Sequence, residues 1–310
     1  MSTRRIYEAH HSPTDIDDRS VSQILGNMEI MADALSARHE RLTIDDLHRW
    51  HRAVMESSPQ PQKNVGAFRC EQNWIGGRAD APFGADFIPP PPEHVNDLME
   101  DLLAFTNGAE LPPIVHAAVA HAQFESIHPY ADGNGRIGRV LIYWILASRG
   151  VLTTIAPPLS PIIDDDRETY IEGLVAYRNG QPDIWIDTFL RLVESACAYS
   201  LLLADALADL NDRWTSLVSD VRAGSVDHRI VAELTEHPVL DAATVALLYK
   251  ISDVAALEAL RRLETRGIVT ERPLRRGRRG RPARVFEASD LFELLDEPVR
   301  QLAARLQHRN

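Results

Sequence analysis

Apolar residues in the first half of the chain recur every three to four positions in separate runs. Val21, Ile24, Leu25, Met28, Met31 and Leu35 have the spacing of one helical face. Leu47, His51 and Val54 follow Thr43, whose hydroxyl suits an N-cap, so a second helix is predicted there. The period is lost from about Gly66 to Pro92. There Trp74-Ile75, Gly76-Gly77, Phe87-Ile88 and the prolines 89 to 92 read as a hairpin or flap between helices. It returns with Val95, Leu98, Met99, Leu102, Leu103 and Phe105, and again with Ile114, Val115, Ala118, Val119, Ala122 and Phe124. Pro129, Gly133 and Gly135 then break the pattern, so His128 to Gly135 must be a loop. Ile137, Val140, Leu141, Trp144 and Ile145 predict an apolar helix at the centre of the core. Further helices are expected over 166–178 and 183–210.

The tail reads differently. Three short helices, over 227–236, 241–249 and 252–266, each opened by an Asp or Ser cap, precede two strands, 267–271 and 284–287, joined by an arginine-rich loop. The expected fold is mainly α: a helical bundle with a short β-hairpin flap, then a small winged helix-turn-helix. The expected boundaries are an arm over 1–20, a first domain over 21–215 with its flap at about 66–92, a winged helix over 225–290 and a C-terminal helix or tail over 291–310.

Composition adds limits. Hydrophobic residues make up 45% and charged residues 25%, which fits a globular protein rather than a disordered one. Cys70 and Cys197 are the only cysteines, too few for a disulfide framework. No leader or long apolar run is seen, so the expectation is a cytoplasmic protein without a membrane partner. A net charge of -12 argues against coating nucleic acid over the whole surface. The positive charge is gathered instead, with ten arginines from Arg261 to Arg284.

The loop at 128–135 carries the candidate chemistry. A loop feeding directly into a helix leaves backbone N–H groups free at the positive end of the helix dipole, which attracts phosphate. Gly133 and Gly135 let an anion approach the backbone, and Asn134 between them has an amide to donate. Asp132 offers the hard oxygen that Mg²⁺ accepts. Arg136 and Arg139 are one turn apart and suit a polyphosphate. His128, at the other end of the loop, has the proton affinity of a general base. Each feature alone has a commonplace reading as a turn, a solvated face or a surface histidine. Together they are the parts that phosphoryl-group transfer needs.

His128-Pro129-Tyr130-Ala131-Asp132-Gly133-Asn134-Gly135-Arg136-Ile137-Gly138-Arg139 resembles the signature of the Fic family, H-x-F-x-[DE]-G-N-G-R-x-x-R, with Tyr130 in place of Phe. The resemblance extends over roughly residues 15 to 205. It implies an AMP transferase that uses ATP and Mg²⁺ to modify a Ser, Thr or Tyr hydroxyl of a target protein, releasing pyrophosphate. His128 would be the base and Asp132 the metal ligand. Gly133, Asn134 and Gly135 would hold the α- and β-phosphates, and Arg136 and Arg139 would clamp the chain. Trp74, Ile75, Gly76, Phe87 and Ile88 would form the target-docking flap. Relatives of the Doc type carry a lysine near Asn134, and the Gly-Asn-Gly-Arg arrangement favours AMP. Tyr130 adds a hydroxyl that needs a partner.

Two other features qualify the resemblance. Many Fic proteins carry an inhibitory helix, [ST]-x-x-x-E-[GN], whose glutamate pairs with the second motif arginine. Here Leu25 stands at the glutamate position and Val21 at the Ser/Thr position, with Glu29 or Glu40 as the acid if the register differs. In the tail, Arg275, Arg276, Arg278, Arg279 and Arg281 are candidate nucleic-acid contacts. Asp253, Glu258 and Glu264 on the neighbouring helix argue against base readout, and a solvated charge run or a contact with the acidic first domain stands beside it. Two alternative functions remain: a nucleotide-sensing regulator that binds DNA through the winged helix, and a transferase of the same fold with another nucleotide or phosphocholine donor. The target and the oligomeric state are not legible. If the brake is absent, Leu25→Glu lowers the rate of AMP transfer in a labelling assay; an unchanged rate contradicts that register.

Overall fold

A computed structural model describes residues 30–56, 64–78, 81–108, 110–153, 155–274 and 283–307. The N-terminal arm, Leu25, Glu29 and the arginines at 275, 276, 278, 279 and 281 lie outside the described residues. Two units are compact in themselves, one over Ser22–Ala198 and one that takes in Tyr199–Asn310.

In the first unit, helix α1 covers 30–36 of the described residues and α2 is Ile44–Glu56. Thr43 and Asp46 cap α2 reciprocally: the Thr43 backbone N–H donates to Asp46 Oδ2 at 2.9 Å and the Asp46 N–H to Thr43 Oγ1 at 3.3 Å. Leu47, Trp50, His51, Val54 and Met55 form its buried stripe. Trp50 Nε1 donates to Asp33 Oδ2 of α1 at 2.8 Å.

Helices α3 (Val95–Gly108), α4 (Pro113–Ile127) and α5 (Asn134–Ser148) follow. α4 and α5 pack against each other and are buried on nearly all sides, consistent with apolar runs that lack a polar face. Ala117, Ala118, Ala120 and Ala122 on α4 have no exposed surface, and small side chains let the neighbouring helices come close. Helices α6 (Leu159–Asp165) and α7 (Arg167–Arg178) lead into α8 (Pro182–Leu217). The short α6, behind Pro157 and Pro158, has no counterpart in the sequence reading. Trp185 of α8 donates to the carbonyl of Ala118 at 2.7 Å, tying α8 to the middle of α4.

The flap consists of two isolated antiparallel bridges, Ile75 with Phe87 and Arg78 with Ala81, rather than extended strands. Gly76 has φ +74°, and a Cβ there would fall 1.9 Å from Asp86 Oδ2, so only glycine fits this turn.

The second unit begins within α8, where the sequence had suggested a boundary at about 215. The reason is burial: Ala206, Leu210, Trp214 and Val218 continue as an apolar stripe, and Arg213 pairs with Asp290 at 2.5 Å. It continues through α9 (Val226–Glu233), β1 (Val239–Leu240), α10 (Ala242–Tyr249), α11 (Asp253–Thr265), β2 (Thr270–Leu274), β3 (Ala283–Glu287), α12 (Ser289–Leu295) and α13 (Val299–Gln307). Ser225, Asp241 and Ser252 cap the three middle helices; the first cap is Ser225 rather than an aspartate. The sheet order is β1-β3-β2, all antiparallel. The two-residue β1 was too short to read from the sequence. No helix of the described residues is long and apolar enough to cross a membrane.

Candidate active site

α4 stops where the chemistry begins. His128 is its C-cap, in the left-handed region at φ 50°, and its N–H closes the helix on the Phe124 carbonyl. The loop then turns through Gly133, at φ 82°, into the first turn of α5. The N–H groups of Asn134 and Gly135, first in that helix, have no acceptor within it. A Cβ at Gly135 would stand 3.4 Å from an Arg139 guanidinium nitrogen, so the bare backbone and that cation share one side of the turn.

The loop is held from three directions. Arg69 is 4% exposed. Its guanidinium donates to the carbonyls of His128 at 2.9 Å, Ile127 at 3.3 Å, Pro90 at 2.5 Å and Glu71 at 3.3 Å. Its backbone N–H donates to the Pro129 carbonyl at 2.9 Å. Burial lowers its proton affinity, and a cation so placed is favoured by the negative end of the α4 dipole.

From α2, His51 stacks on Tyr130 with centroids 3.9 Å apart and planes at 8°. The Gly66 N–H donates to its Nδ1 at 2.9 Å, which leaves the proton on Nε2 to donate to the Asp132 carbonyl at 3.1 Å. The Tyr130 hydroxyl finds its partner in His48 Nδ1 at 3.1 Å. Within the loop, the carboxamide of Asn134, 2% exposed, accepts from the Tyr130 N–H at 2.9 Å and donates to the Tyr130 carbonyl at 2.8 Å. The side chain expected to reach phosphate is committed to bracing the loop, which leaves the backbone N–H groups as the donors on the open side.

Asp132 is half-exposed. Its Oδ1 accepts from the Gly133 N–H at 2.6 Å, and its Oδ2 lies 3.8 Å from Arg136. Arg136 also reaches the Val54 carbonyl at 3.4 Å. His128 is neutral at physiological pH: burial, helped by the charges of Arg178 and Arg69, pulls its pKa to about 4. Glu125 lies one turn before it, with Oε2 at 3.7 Å from His128 Nδ1, and burial raises its pKa to about 7 against the pull of Arg139 and Arg178.

At the flap, the Ile75 N–H donates to the Phe87 carbonyl at 2.9 Å, and Trp74 Nε1 donates to the Arg78 carbonyl at 2.7 Å. Asn73 ties the flap to the loop through the Tyr130 carbonyl at 3.1 Å. Arg178 lies 3.8 Å over the Phe87 ring. A cavity of about 700 Å³ is bordered by Phe87, Ile88, Pro90, Ile127, Tyr177 and Arg178.

The structure therefore brings His128, Asp132, Gly133, Asn134, Gly135, Arg136 and Arg139 together on one loop and one helical turn. Sequence reasoning missed Arg69, Glu125 and Arg178, and read His51 only as a helical position. A histidine on the apolar face of α2 and an acid inside the apolar run of α4 were the available signals; Arg69 gave none.

The Fic/DOC family model matches residues 41–146. The chain is 31% identical over 126 residues to the protein adenylyltransferase fic-1 of Caenorhabditis elegans, covering 40% of this chain and 23% of the relative. It is 37% identical over 93 residues to a probable protein adenylyltransferase of Aquifex aeolicus, covering 30% and 27%. A crystal structure of a Fic family protein from Desulfovibrio desulfuricans G20 aligns with a TM-score of 0.49 at 19% identity, over 87% of this chain and 75% of that one. The chain spans about a quarter of the length of these two curated relatives.

The buried imidazoles give a pH dependence. His51, His121 and His128 are each held near 4 by burial, against 6.5 when exposed. Between these values the unfolded chain binds protons that the folded chain refuses, so their contribution is full above about 6.5 and is lost as pH falls toward 4. Glu125, raised to about 7, acts in the opposite sense but is outnumbered. Urea unfolding is expected to show a loss of about 2 kcal/mol or more between pH 7 and pH 5; equal stability at both contradicts the buried, neutral assignments.

Proposed function

With residues 41–146 a Fic/DOC-family segment, we propose that this protein transfers AMP from ATP to a hydroxyl side chain of a target protein. The observation that carries the reading is the braced turn in which a neutral, largely buried His128 and the N-terminus of α5 close the two ends of one six-residue loop.

Phosphate fits this turn. The Asn134 and Gly135 N–H groups are the donors, Gly135 sets no side chain beside them, and Arg136 and Arg139 supply charge. Mg²⁺ also fits, because it commonly takes only one or two protein carboxylates and completes its shell with water and phosphate. Asp132 is the half-exposed carboxylate available for it. The ion would neutralise charge on the phosphates when bound. Among the described residues no cluster of three or more His, Cys, Asp or Glu could hold a metal alone, in keeping with a site that shares the ion with its substrate.

His128 takes the proton of the target hydroxyl as its oxygen bonds to the α-phosphorus. The bond from that phosphorus to pyrophosphate breaks, and the arginines hold the departing charge. Ile75 and Phe87 present the flap backbone for strand addition by the target, with Trp74, Gly76 and the exposed Ile88 at its sides. The target docks by backbone, which leaves its sequence loosely specified.

A protein target is the favoured partner over DNA. On α11 the exposed Arg261 and Arg262 are set against the exposed Asp253, Val254 and Glu258, and Arg262 is paired with Asp227, so the helix has no row of side chains suited to base edges. A winged-helix role for the second unit and DNA contact by its arginines rest on the sequence pattern.

Incubation of the protein with ATP and Mg²⁺, alone and with cell extract, is expected to add an AMP-sized mass to a hydroxyl side chain. His128→Ala should lower the rate by about 10²-fold or more. A phosphate-sized addition, or an AMP addition indifferent to His128, contradicts the proposal.

A further inference from the structure

Glu125 is in an unfavourable place for a carboxylate. It is 7% exposed. It lies in the last turn of α4, where the helix dipole opposes negative charge. Its Oε1 makes no hydrogen bond among the described residues. A side chain kept only for packing would be apolar or an amide. Space is nonetheless kept for the acid: a Cβ at Gly138 on α5 would fall 2.6 Å from Oε1 and 3.0 Å from the His121 ring. The glycine on the facing helix is thus matched to the carboxylate.

What the carboxylate faces is the base. Because His128 is in the left-handed region, its side chain leaves the helical path and its Nδ1 lies 3.7 Å from Glu125 Oε2. That nitrogen is buried and has no side-chain hydrogen bond; beside the carboxylate, the backbone carbonyl of Glu125 favours a proton on the ring. We propose that Glu125 is a positioning residue for the reaction: its carboxylate keeps the proton of His128 on Nδ1, aims the Nε2 lone pair at the incoming hydroxyl, and balances the charge the ring acquires. The proton moves from the hydroxyl to Nε2, while Nδ1 keeps its own and draws up to Oε2. Above about pH 7 Glu125 itself stays ionised throughout the transfer.

The proposal answers a difficulty in the site. A histidine held near 4 by burial is free of its proton at neutral pH but takes one up reluctantly. An adjacent carboxylate raises that affinity when the proton arrives, as in other base and orienter pairs. The charged and titratable groups around Glu125 are His121 and His128 on α4, Arg139 on α5, and Tyr170 and Arg178 on α7. The two arginines favour its ionised form and burial opposes it, and the balance lies at about 7. Below that pH the acid is neutral and the support is lost. His128 does not titrate in that range, so a limb of the rate profile near 7 belongs to Glu125.

The kinetic part rests on the adenylyl-transfer reading, whereas the geometric part does not. The test therefore begins with ring nitrogen NMR of ¹⁵N-histidine-labelled protein, with the His128 signals assigned through His128→Asn. In the unaltered protein the His128 nitrogens are expected in the Nδ1–H form and to shift with an inflection near pH 7. Glu125→Gln removes the inflection, and Glu125→Leu mixes in the Nε2–H form. With a target in hand, Glu125→Gln lowers kcat about tenfold or more, leaves KM for ATP within a factor of about two, and removes the limb near pH 7. Signals of the unaltered protein that stay flat from about pH 6 to 8, or the same tautomer in Glu125→Leu, overturn the proposal. If Glu125→Leu does not fold, the titration of the unaltered protein decides alone. If that protein transfers no AMP, the reaction is misassigned, and the NMR result still decides the pairing.

Discussion

A buried guanidinium at the end of α4 is the constraint from which the site follows. A helix that must stop inside the protein leaves its last carbonyls without partners, and water is excluded there. Arg69 supplies donors to the carbonyls of Ile127 and His128 and holds Pro90 and Glu71 with the same planar group. Its desolvation is offset by the carbonyls it serves and by the dipole they terminate. Because α4 ends at this point and no later, His128 can adopt its left-handed conformation and the chain can turn into α5. The same charge helps keep the His128 ring neutral. One residue thus couples the end of a helix, the protonation of the base and the root of the flap.

The opposite wall is built with neutral groups. His51 accepts from Gly66 and donates to Asp132, and it can do both only while uncharged. Its stack on Tyr130 and the carboxamide clamp of Asn134 fix the centre of the loop. The N–H groups of Asn134 and Gly135 have no acceptor within α5, while the Asn134 carboxamide and the Tyr130 ring, which could otherwise swing across them, are each held by a partner. An anion site made in this way costs little rearrangement on binding.

The helices were legible wherever the apolar period was long, as in α4 and α5, because burial and period have the same cause. The motif was legible because its residues are adjacent in the chain. What the sequence could not reveal was contributed from far along it. Arg69 lies in an aperiodic stretch 59 residues from the carbonyl it serves, and His51 is 81 residues from Asp132. Asn134 shows the opposite failure. Its position between two glycines suggested a ligand contact, but local geometry turns its side chain inward, four residues back to Tyr130. Glu125 was passed over because, among the other polar residues of α4 at His121, Gln123 and Ser126, nothing in the spacing shows that its side chain faces the His128 ring. The division of the chain inside α8 was hidden for a related reason, since a continuous helical period carries no mark of where its buried stripe changes partner.

The most direct test of a cradle braced in advance is a crystal structure with Mg²⁺ and a non-hydrolysable ATP analogue. The account predicts phosphates on the N–H groups of Asn134 and Gly135, with the backbone of 128–135 displaced by less than about 1 Å and the Asn134 carboxamide still on Tyr130. Phosphates bound elsewhere, or a loop that rebuilds with Asn134 swung onto the nucleotide, would contradict it.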